Sequence, residues 1–332
     1  MLAFAGLVWA LPSQAQEVLT RAEQVRALPP DRAITSVPVD VQAVVGFIES
    51  NSNGTVFIQD ETGGTFFRAS DRARPMKVGD RVHVRGISMP GLYLTGISAS
   101  SYEVLGAGPP PVPALAGYED LATGRYHYQL VQVEGIGRRL SMQEENHSVL
   151  HLALGSRVVE VRVDAPLPEG MEHWVDARLQ VTALAAGGIN DRRQLVFPYL
   201  RVSDWDAIQV VKPAPEVADL EIQSAARLLR FDPARMPEFG HRVRTEGTVL
   251  AAFPDGQVFI RDHTAETPVP SSLEQRPSTA VEARPAALAV RLAQYLPLQP
   301  GQKVNVAGFP NMEEFSASLA DAVLVGMPSD AS

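Results

Sequence analysis

The stretch Val56-Phe57-Ile58-Gln59-Asp60 is followed by Val78-Gly79-Asp80-Arg81-Val82-His83-Val84-Arg85-Gly86, and both stretches return later in the chain. The later copies read Val258-Phe259-Ile260-Arg261-Asp262 and Pro300-Gly301-Gln302-Lys303-Val304-Asn305-Val306-Ala307-Gly308. A weaker copy lies between them, at 149–152 and 174–181. The second stretch of each pair alternates apolar and polar residues, as a half-buried strand does. This self-similarity predicts one small β-domain that occurs three times.

Each copy is predicted to contain a short helix and five strands. The helices are predicted at 19–28, 118–121 and 222–229, and the first strands at 37–48, 128–138 and 241–252. A glycine lies in each first strand, at Gly46, Gly135 and Gly247, and we expect these glycines to occupy matching places where the strand bends. The fourth strand follows a tight turn at Gly79 or Gly301.

Five strands with one short helix, repeated, predict an all-β fold of three tandem OB-fold-like five-stranded barrels. An SH3-like barrel is the alternative for each copy. Proline-rich linkers at 106–113 and 212–215 separate the copies. The predicted ranges are a signal peptide at 1–15, barrel 1 at 16–108, a divergent barrel 2 at 114–212, and barrel 3 at 216–327 with an inserted loop at 265–285.

Composition narrows the classes of function. The chain has 332 residues, a net charge of −9 and a pI near 5.3, so no overall positive field attracts nucleic acid. Cysteine is absent, which excludes disulfides, thiolate nucleophiles and Cys-ligated zinc or iron–sulfur clusters. Packing alone must therefore stabilise the fold. We also expect no cofactor.

The first residues resemble an export signal. Leu2 to Leu11 is a short apolar run, and Pro12-Ser13-Gln14-Ala15 places small residues at a potential cleavage site. The run is too short to span a bilayer, which takes about 20 residues. The prediction is a periplasmic or secreted protein, and the alternative for this segment is a buried N-terminal strand.

Three motifs together resemble a known family. They are the helix Leu-Thr-Arg-Ala-Glu-Gln-Val-Arg-Ala-Leu-Pro at 19–29, the turn Val-Phe-Ile-Gln-Asp-Glu-Thr-Gly-Gly at 56–64, and the strand at 78–86. With the export signal, they resemble the extracytoplasmic input region of multidomain bacterial sensor histidine kinases, over the whole chain after residue 18. The resemblance implies a downstream membrane-anchored kinase as a partner. The phosphoacceptor-histidine region and the ATP-binding Asn and Gly boxes of such kinases do not occur in this sequence.

The sequence predicts neither a catalytic site nor a metal site, and hence no enzyme. The seven histidines form no His-Glu-x-x-His or helical His-x-x-x-His motif, and we interpret them as scattered surface residues. Asp60 and Asp262 sit at equivalent strand ends, where an aspartate usually caps a turn through its side chain. An exported hydrolase with an unfamiliar site is the least favoured class.

Binding is better supported, because barrels of this class present ligands to strands two and three. Alternation places Phe57 beside Gln59, and Phe259 beside Arg261, on the face opposite to Val56 and Ile58. The predicted ligand-binding residues are Phe57, Gln59, Phe67, Tyr93, Phe259, Arg261 and Phe315. The alternative is that Phe57 and Phe259 belong to the core or contact a neighbouring barrel.

The predicted function is therefore recognition without catalysis, as the sensing or interaction part of a periplasmic signalling system. Its partner would be a small molecule, a glycan or a protein. The alternative is a single-stranded nucleic-acid binding protein that uses the same phenylalanine faces, although the acidic charge disfavours it.

Overall fold

The computed structural model describes residues 17–49, 54–69, 75–228, 240–262, 287–312 and 317–325. Within these ranges the chain forms three five-stranded barrels of the OB type, with short helices, so the predicted fold class is confirmed. The predicted signal peptide, the predicted inserted loop at 265–285 and Phe315 lie outside the described residues.

The first barrel closes in the order β1-β2-β3-β5-β4. Strands β3 and β5 are parallel and the other neighbours are antiparallel, as in a Greek-key barrel. Alternate residues such as Val45, Ile58, Phe67 and Val84 fill the interior. The elements are α1 (Ala22–Arg26), α2 (Pro30–Ala33), β1 (Pro38–Ile48), β2 (Thr55–Asp60), β3 (Gly63–Ala69), β4 (Arg81–Met89) and β5 (Gly96–Gly106).

The second barrel lies within a seven-stranded sheet of order β12-β10-β11-β9-β8-β7-β6. Because β10 also pairs with β7, strands β7-β8-β9-β11-β10 form a ring in the same order as the first barrel. Its elements are β6 (Ala114–Leu115), α3 (Tyr118–Ala122), β7 (Leu130–Glu144), β8 (His147–Leu154), β9 (Arg157–Val163), β10 (Arg178–Ile189), β11 (Leu195–Val202) and β12 (Ile208–Lys212).

The third barrel closes as β13-β14-β15-β17-β16, which repeats the order of the first. Its interior contains Val249, Ile260, Leu288, Val306 and Leu319. Its elements are α4 (Ala225–Leu228), β13 (Val243–Ala252), β14 (Gln257–Arg261), β15 (Ala287–Leu292), β16 (Lys303–Met312) and β17 (Ala317–Leu324).

By compactness the chain divides into two units. The first comprises residues 1–114, 121–131 and 184–198, and the second comprises 115–120, 132–183 and 199–332. Two short segments of the second repeat thus belong to the first unit. The predicted domain ranges follow the sequence repeats and stay predictions.

A bulge interrupts the first strand of every barrel, and only in the first barrel is it a glycine. The register shifts between Val45 and Phe47 in β1, between Gly137 and Arg139 in β7, and between Val249 and Ala251 in β13. The extra residue is therefore Gly46, Arg138 or Leu250. The bulge lets one strand bend and pair with two neighbours around the barrel.

The predicted equivalence of the three glycines is wrong for Gly46. Gly135 and Gly247 each lie three residues before the bulge, where Ala43 lies in β1. A Cβ on Gly247 would lie 2.6 Å from the carbonyl oxygen of Arg261, and a Cβ on Gly135 would clash with the carbonyl oxygen of Ala153. These two glycines therefore permit a close approach of the second strand.

The turn before the fourth strand is equivalent in all three barrels. Gly79, Asp176 and Gly301 have φ of 93°, 74° and 88°, and their amides donate to the residue before the bulge at 2.8, 2.7 and 2.8 Å. The predicted glycine turn is thus confirmed for Gly79 and Gly301. Asp176 adopts the same left-handed backbone in the second barrel, which aspartate tolerates better than most residues.

The predicted turn role of Asp60 is confirmed, and its side chain does more than cap a turn. Its Oδ1 accepts hydrogen bonds from the amides of Thr62 and Gly63 at 2.8 and 3.1 Å. Its Oδ2 accepts from the amide of Ala22, the first residue of α1, at 2.8 Å. Asp262 repeats that second contact with the amide of Ala225 at 2.6 Å. Each aspartate thus fixes a helix to the end of its second strand.

We expect Asp60→Ala to lower the free energy of unfolding by about 1–3 kcal/mol, because three amides lose their acceptor. Asp60→Asn should lose less, since one acceptor oxygen remains. Exposed Glu61 in the same turn provides the control, and Glu61→Ala should change the stability by less than about 0.5 kcal/mol. Denaturant unfolding measures all three, and equal stability of Asp60→Ala and Glu61→Ala would contradict the structural role.

Candidate functional site

Phe57 does not face a groove, which corrects the prediction for this residue. Alternation is as expected, because Val56 and Ile58 point into the barrel and Phe57 points outward. The outward ring is covered, however, by Phe47 and Phe66 at 6.1 Å between ring centroids and by Tyr128 at 5.0 Å. With buried Leu184 in the same cluster, only 6% of Phe57 is exposed.

The prediction that Phe67 binds ligand is also wrong. The register of β2 and β3 sets Phe67 opposite Val56 and Phe66 opposite Phe57, so Phe67 lies in the barrel interior and Phe66 lies outside. One of the two adjacent rings does leave the interior, as expected, but it is Phe66. Its ring packs at 5.5 Å from that of Tyr128 and lies so close to Gly96 that a side chain there would clash with it.

Tyr93 is half-buried beside a histidine that the sequence interpretation placed on the surface. The ring of Tyr93 meets that of His127 edge-on at 4.7 Å, and His127 packs at 4.2 Å from Tyr128. His127 is buried, and burial together with the nearby charge of Arg26 lowers its pKa from 6.5 to about 3. His127 is therefore neutral, and it packs against Tyr128, the ring that covers Phe57.

Gln59 contacts the segment that follows Tyr128. It is half-buried, and its Oε1 accepts a hydrogen bond from the amide of Leu130 at 3.1 Å. Gln59 also borders a cleft of about 460 Å³ in the first barrel, together with Asp60, Arg81 and Pro111. Of the residues predicted to bind ligand in this barrel, Gln59 and Tyr93 keep accessible surface, and their role stays a prediction.

The equivalent face of the third barrel is open. Phe259 occupies the position of Phe57, but its cross-strand neighbours are Ala251 and Ala289, where the first barrel has Phe47 and Phe66. Phe259 is half-buried and Arg261 is exposed. Phe253 meets the ring of Phe259 edge-on at 6.1 Å and is itself 47% exposed. Two aromatic rings and a guanidinium are thus accessible on one barrel.

The second barrel presents a polar group at the same position. His151 stands where Phe57 and Phe259 stand, with Arg139 and Glu160 as its cross-strand neighbours. Its Nε2 lies 3.1 Å from an Nη of Arg139, and burial, with the charge of Arg139, lowers the pKa of His151. Glu160 accepts from Arg162 Nη2 at 2.8 Å. The polar groups largely satisfy one another, and the ring of Tyr199, in register with Glu160 on the adjacent strand, lies 3.8 Å from the Arg162 guanidinium.

A partly buried polar cluster in the second compact unit joins the second and third repeats. The guanidiniums of Arg138 and Arg242 lie 4.0 and 5.2 Å from the ring centroid of buried Phe309. Burial lowers the pKa of Arg138 to about 10 and lowers that of Arg242 too. The Asp176 carboxylate accepts from the His241 Nδ1 at 2.7 Å and from the Arg242 amide at 3.1 Å. Asp176 therefore has two roles. Its left-handed backbone forms the turn before β10, and its side chain binds the start of the third repeat.

Two further observations bear on the class of site. In the described ranges, no three His, Asp or Glu side chains converge as metal ligands would. Among the helices that the structure describes, none has the length and hydropathy to cross a bilayer.

No protein-family model matches the chain, and no curated protein matches it in sequence. Solved structures match at low similarity. A murine DNA-binding protein bound to double-stranded DNA is 12% identical, with a TM-score of 0.29, over 55% of this chain and 99% of that one. Two Entamoeba histolytica enzymes match as well: an asparaginyl-tRNA synthetase (14% identity, TM-score 0.25, 32% of this chain and 25% of that one) and an aspartyl-tRNA synthetase (12%, 0.24, 38% and 26%). The chain spans about a quarter of the length of these synthetases.

The two equivalent phenylalanines should differ in their contribution to stability. Phe57→Ala removes a buried ring from an aromatic cluster and should lower the free energy of unfolding by about 3–5 kcal/mol. Phe259→Ala removes a half-buried ring and should cost about 1–2 kcal/mol. Denaturant titration of both variants tests this difference, and equal losses would show that the third barrel's face is covered after all.

Burial of His127 predicts a stability that depends on pH. The pKa is lower in the folded state (about 3) than its ordinary 6.5, so between these values the unfolded chain binds a proton that the folded chain does not. The contribution of His127 to the free energy of unfolding is therefore fully present above pH 6.5 and decreases towards pH 3, by up to about 1.4 kcal/mol per pH unit. His127→Gln should flatten the unfolding free energy against pH in this window. An unchanged slope would mean that His127 is accessible to solvent.

Proposed function

We propose that this chain is a non-catalytic recognition module that binds a protein partner through the outer face of its third barrel. The observation that carries the proposal is the accessibility of Phe253, Phe259 and Arg261, at a place where the first barrel is sealed by Phe66 and Tyr128. Of the two described copies of the Val-Phe-Ile phrase, the third barrel's copy is the one whose phenylalanine keeps accessible surface.

The chemistry of this face favours a protein over a small molecule. Aromatic rings and arginine are the residues that most often anchor protein interfaces. The strand also exposes Leu250, at 37%, and half-exposes Ala251, so the apolar surface extends along β13 beyond the two rings. An extended apolar surface on a sheet is suited to another folded surface, whereas a small ligand usually needs a concave pocket.

A single-stranded oligonucleotide is the second candidate. The observation that favours it is Phe259 beside Arg261 on the second strand of a barrel, since bases stack on such rings and the guanidinium can meet phosphate. The net charge of −9 opposes it. Titration of fluorescent single-stranded DNA at low salt tests this candidate. Binding that weakens as salt is added and is lost in Phe259→Ala would favour an oligonucleotide ligand.

We also propose that the module works outside the cytoplasm, as the input region of a signalling system. The support is in the sequence, where an apolar N-terminal run with small residues at 12–15 resembles an export signal. Cell fractionation of the tagged protein tests the location. Extension of the reading frame shows whether a membrane-anchored kinase is encoded with it.

A photo-crosslinking residue in place of Arg261 tests the binding face. We expect it to capture a defined protein from periplasmic extract, and we expect Phe259→Ala to reduce that capture by about tenfold, as loss of an anchor residue does. The control carries the crosslinker in place of Leu92, which is exposed in the first barrel. The same captured species at both positions would contradict a specific face on the third barrel.

A further inference from the structure

One position of the fourth strand is apolar in all three repeats, as Ile87, Leu184 and Phe309. In each first strand, the residue before the bulge donates its amide to a carbonyl at the start of the fourth strand, that of Asp80, Ala177 or Gln302. The apolar residue lies seven positions after this acceptor in every repeat. The next residue repeats a second contact, because the Ser88 amide donates to Val37 and the Ala185 amide donates to Gln129. The three positions are therefore structurally equivalent.

This position is buried in the second and third repeats by the repeat before it. Leu184 packs with Phe47, Phe57 and Phe66 inside the first compact unit. Phe309 packs with Ile136 and Ala153 inside the second compact unit. Both side chains are almost completely buried, whereas Ile87 of the first repeat is 41% exposed.

A second position follows the same rule. Ser36, Tyr128 and Gly240 each lie ten residues before the bulge of their first strand, and each has a left-handed backbone, with φ of 59°, 66° and 104°. The Tyr128 ring covers Phe57 of the first repeat, and a Cβ on Gly240 would lie 3.3 Å from Ile136 of the second. Ser36 is exposed.

The surface that receives these residues includes the bulge. A Cβ on Gly46 would lie 3.6 Å from Leu130 of the second repeat, and Arg138 lies against Phe309 of the third. The equivalent Leu250 is 37% exposed, and it directly precedes Ala251, the cross-strand partner of half-buried Phe259. The described chain thus carries both halves of one repeated junction uncovered, one on its first repeat and one on its third.

We propose that the leading edge of one copy, formed by Ile34, Ser36 and Ile87, docks on the trailing face of a second copy, formed by Leu250, Phe253 and Phe259. Ile34 belongs to this edge because it is exposed and follows Ala33, whose carbonyl accepts from Ser88 Oγ at 2.8 Å. This inference rests on the proposed function and names a second copy of this chain as the partner of the same face. Such an interface joins different surfaces, so it builds rings or open chains.

The charge of the chain sets the conditions for the test. Each copy carries −9, so two copies repel one another at low ionic strength and this repulsion is screened as salt is added. The docking residues are apolar, and burial of apolar surface does not weaken with added salt. Self-association is therefore expected to strengthen with ionic strength.

Sedimentation velocity over a concentration series tests the inference, with Ile87→Asp to block the leading edge and Phe259→Asp to block the trailing face. We expect the unmodified chain to associate, and each variant alone to associate at least about tenfold more weakly, as expected when an anchor residue is removed. An equimolar mixture of the two variants should form a dimer and nothing larger, because each variant supplies the half that the other lacks. Leu92→Asp, at an exposed leucine elsewhere, should associate like the unmodified chain.

A chain that stays monomeric at every concentration overturns the inference. So does a mixture that forms no dimer, or an Ile87→Asp variant that associates as strongly as the unmodified chain, since that would mean pairing of two identical faces. Phe253→Asp provides a second trailing-face variant if Phe259→Asp unfolds, because Phe253 is 47% exposed. If the chain is monomeric while a crosslinker at Arg261 still captures another protein, the recognition face is real and only the identity of its partner is wrong.

Discussion

The residue before the bulge of each first strand is the point on which each barrel depends. In the first barrel the amide of Val45 donates to the carbonyl of Asp80, and its carbonyl accepts from the amide of Gly79, at 2.9 and 2.8 Å. Gly137 and Val249 make the same two bonds in the other barrels. This pair of bonds joins the bent first strand to the turn before the fourth strand, which requires a left-handed residue in that turn. Closure of the barrel and the direction of the next outward side chain both follow from it.

The three barrels use one scaffold to present three different outer faces. The residue opposite the bulge is Phe57, His151 or Phe259, and its cross-strand neighbours are aromatic in the first barrel, charged in the second and alanine in the third. The Phe57 ring is covered by the aromatic rings around it, and His151 interacts with the charged side chains beside it. The Phe259 ring stays partly accessible because its neighbours are alanines. The difference in chemistry among the copies therefore comes from neighbours on adjacent strands and not from the repeated phrase itself.

Successive repeats are joined through equivalent positions even though their residues differ. Leu184 and Phe309 both cover the repeat before them, one against an aromatic cluster and the other with two guanidiniums on its ring. A junction that tolerates such different chemistry depends on geometry, namely the left-handed residue before the first strand and the apolar residue on the fourth. This geometry is what makes a junction with a further copy physically reasonable.

The sequence by itself determined the number of repeats, the order of their strands, the glycine turns before the fourth strands of the first and third barrels, and the structural role of Asp60. These properties depend on local periodicity and turn chemistry, which a single sequence displays. Only the tertiary structure decided which of Phe66 and Phe67 faces inward, that Gly46 is a bulge residue unlike Gly135 and Gly247, and that His127 is buried. The register between strands and the covering of an outward face depend on residues distant in sequence, such as Tyr128 over Phe57. For that reason the phenylalanine of the same Val-Phe-Ile phrase is buried in the first barrel and half-buried in the third, while the Val and Ile beside it are core in both.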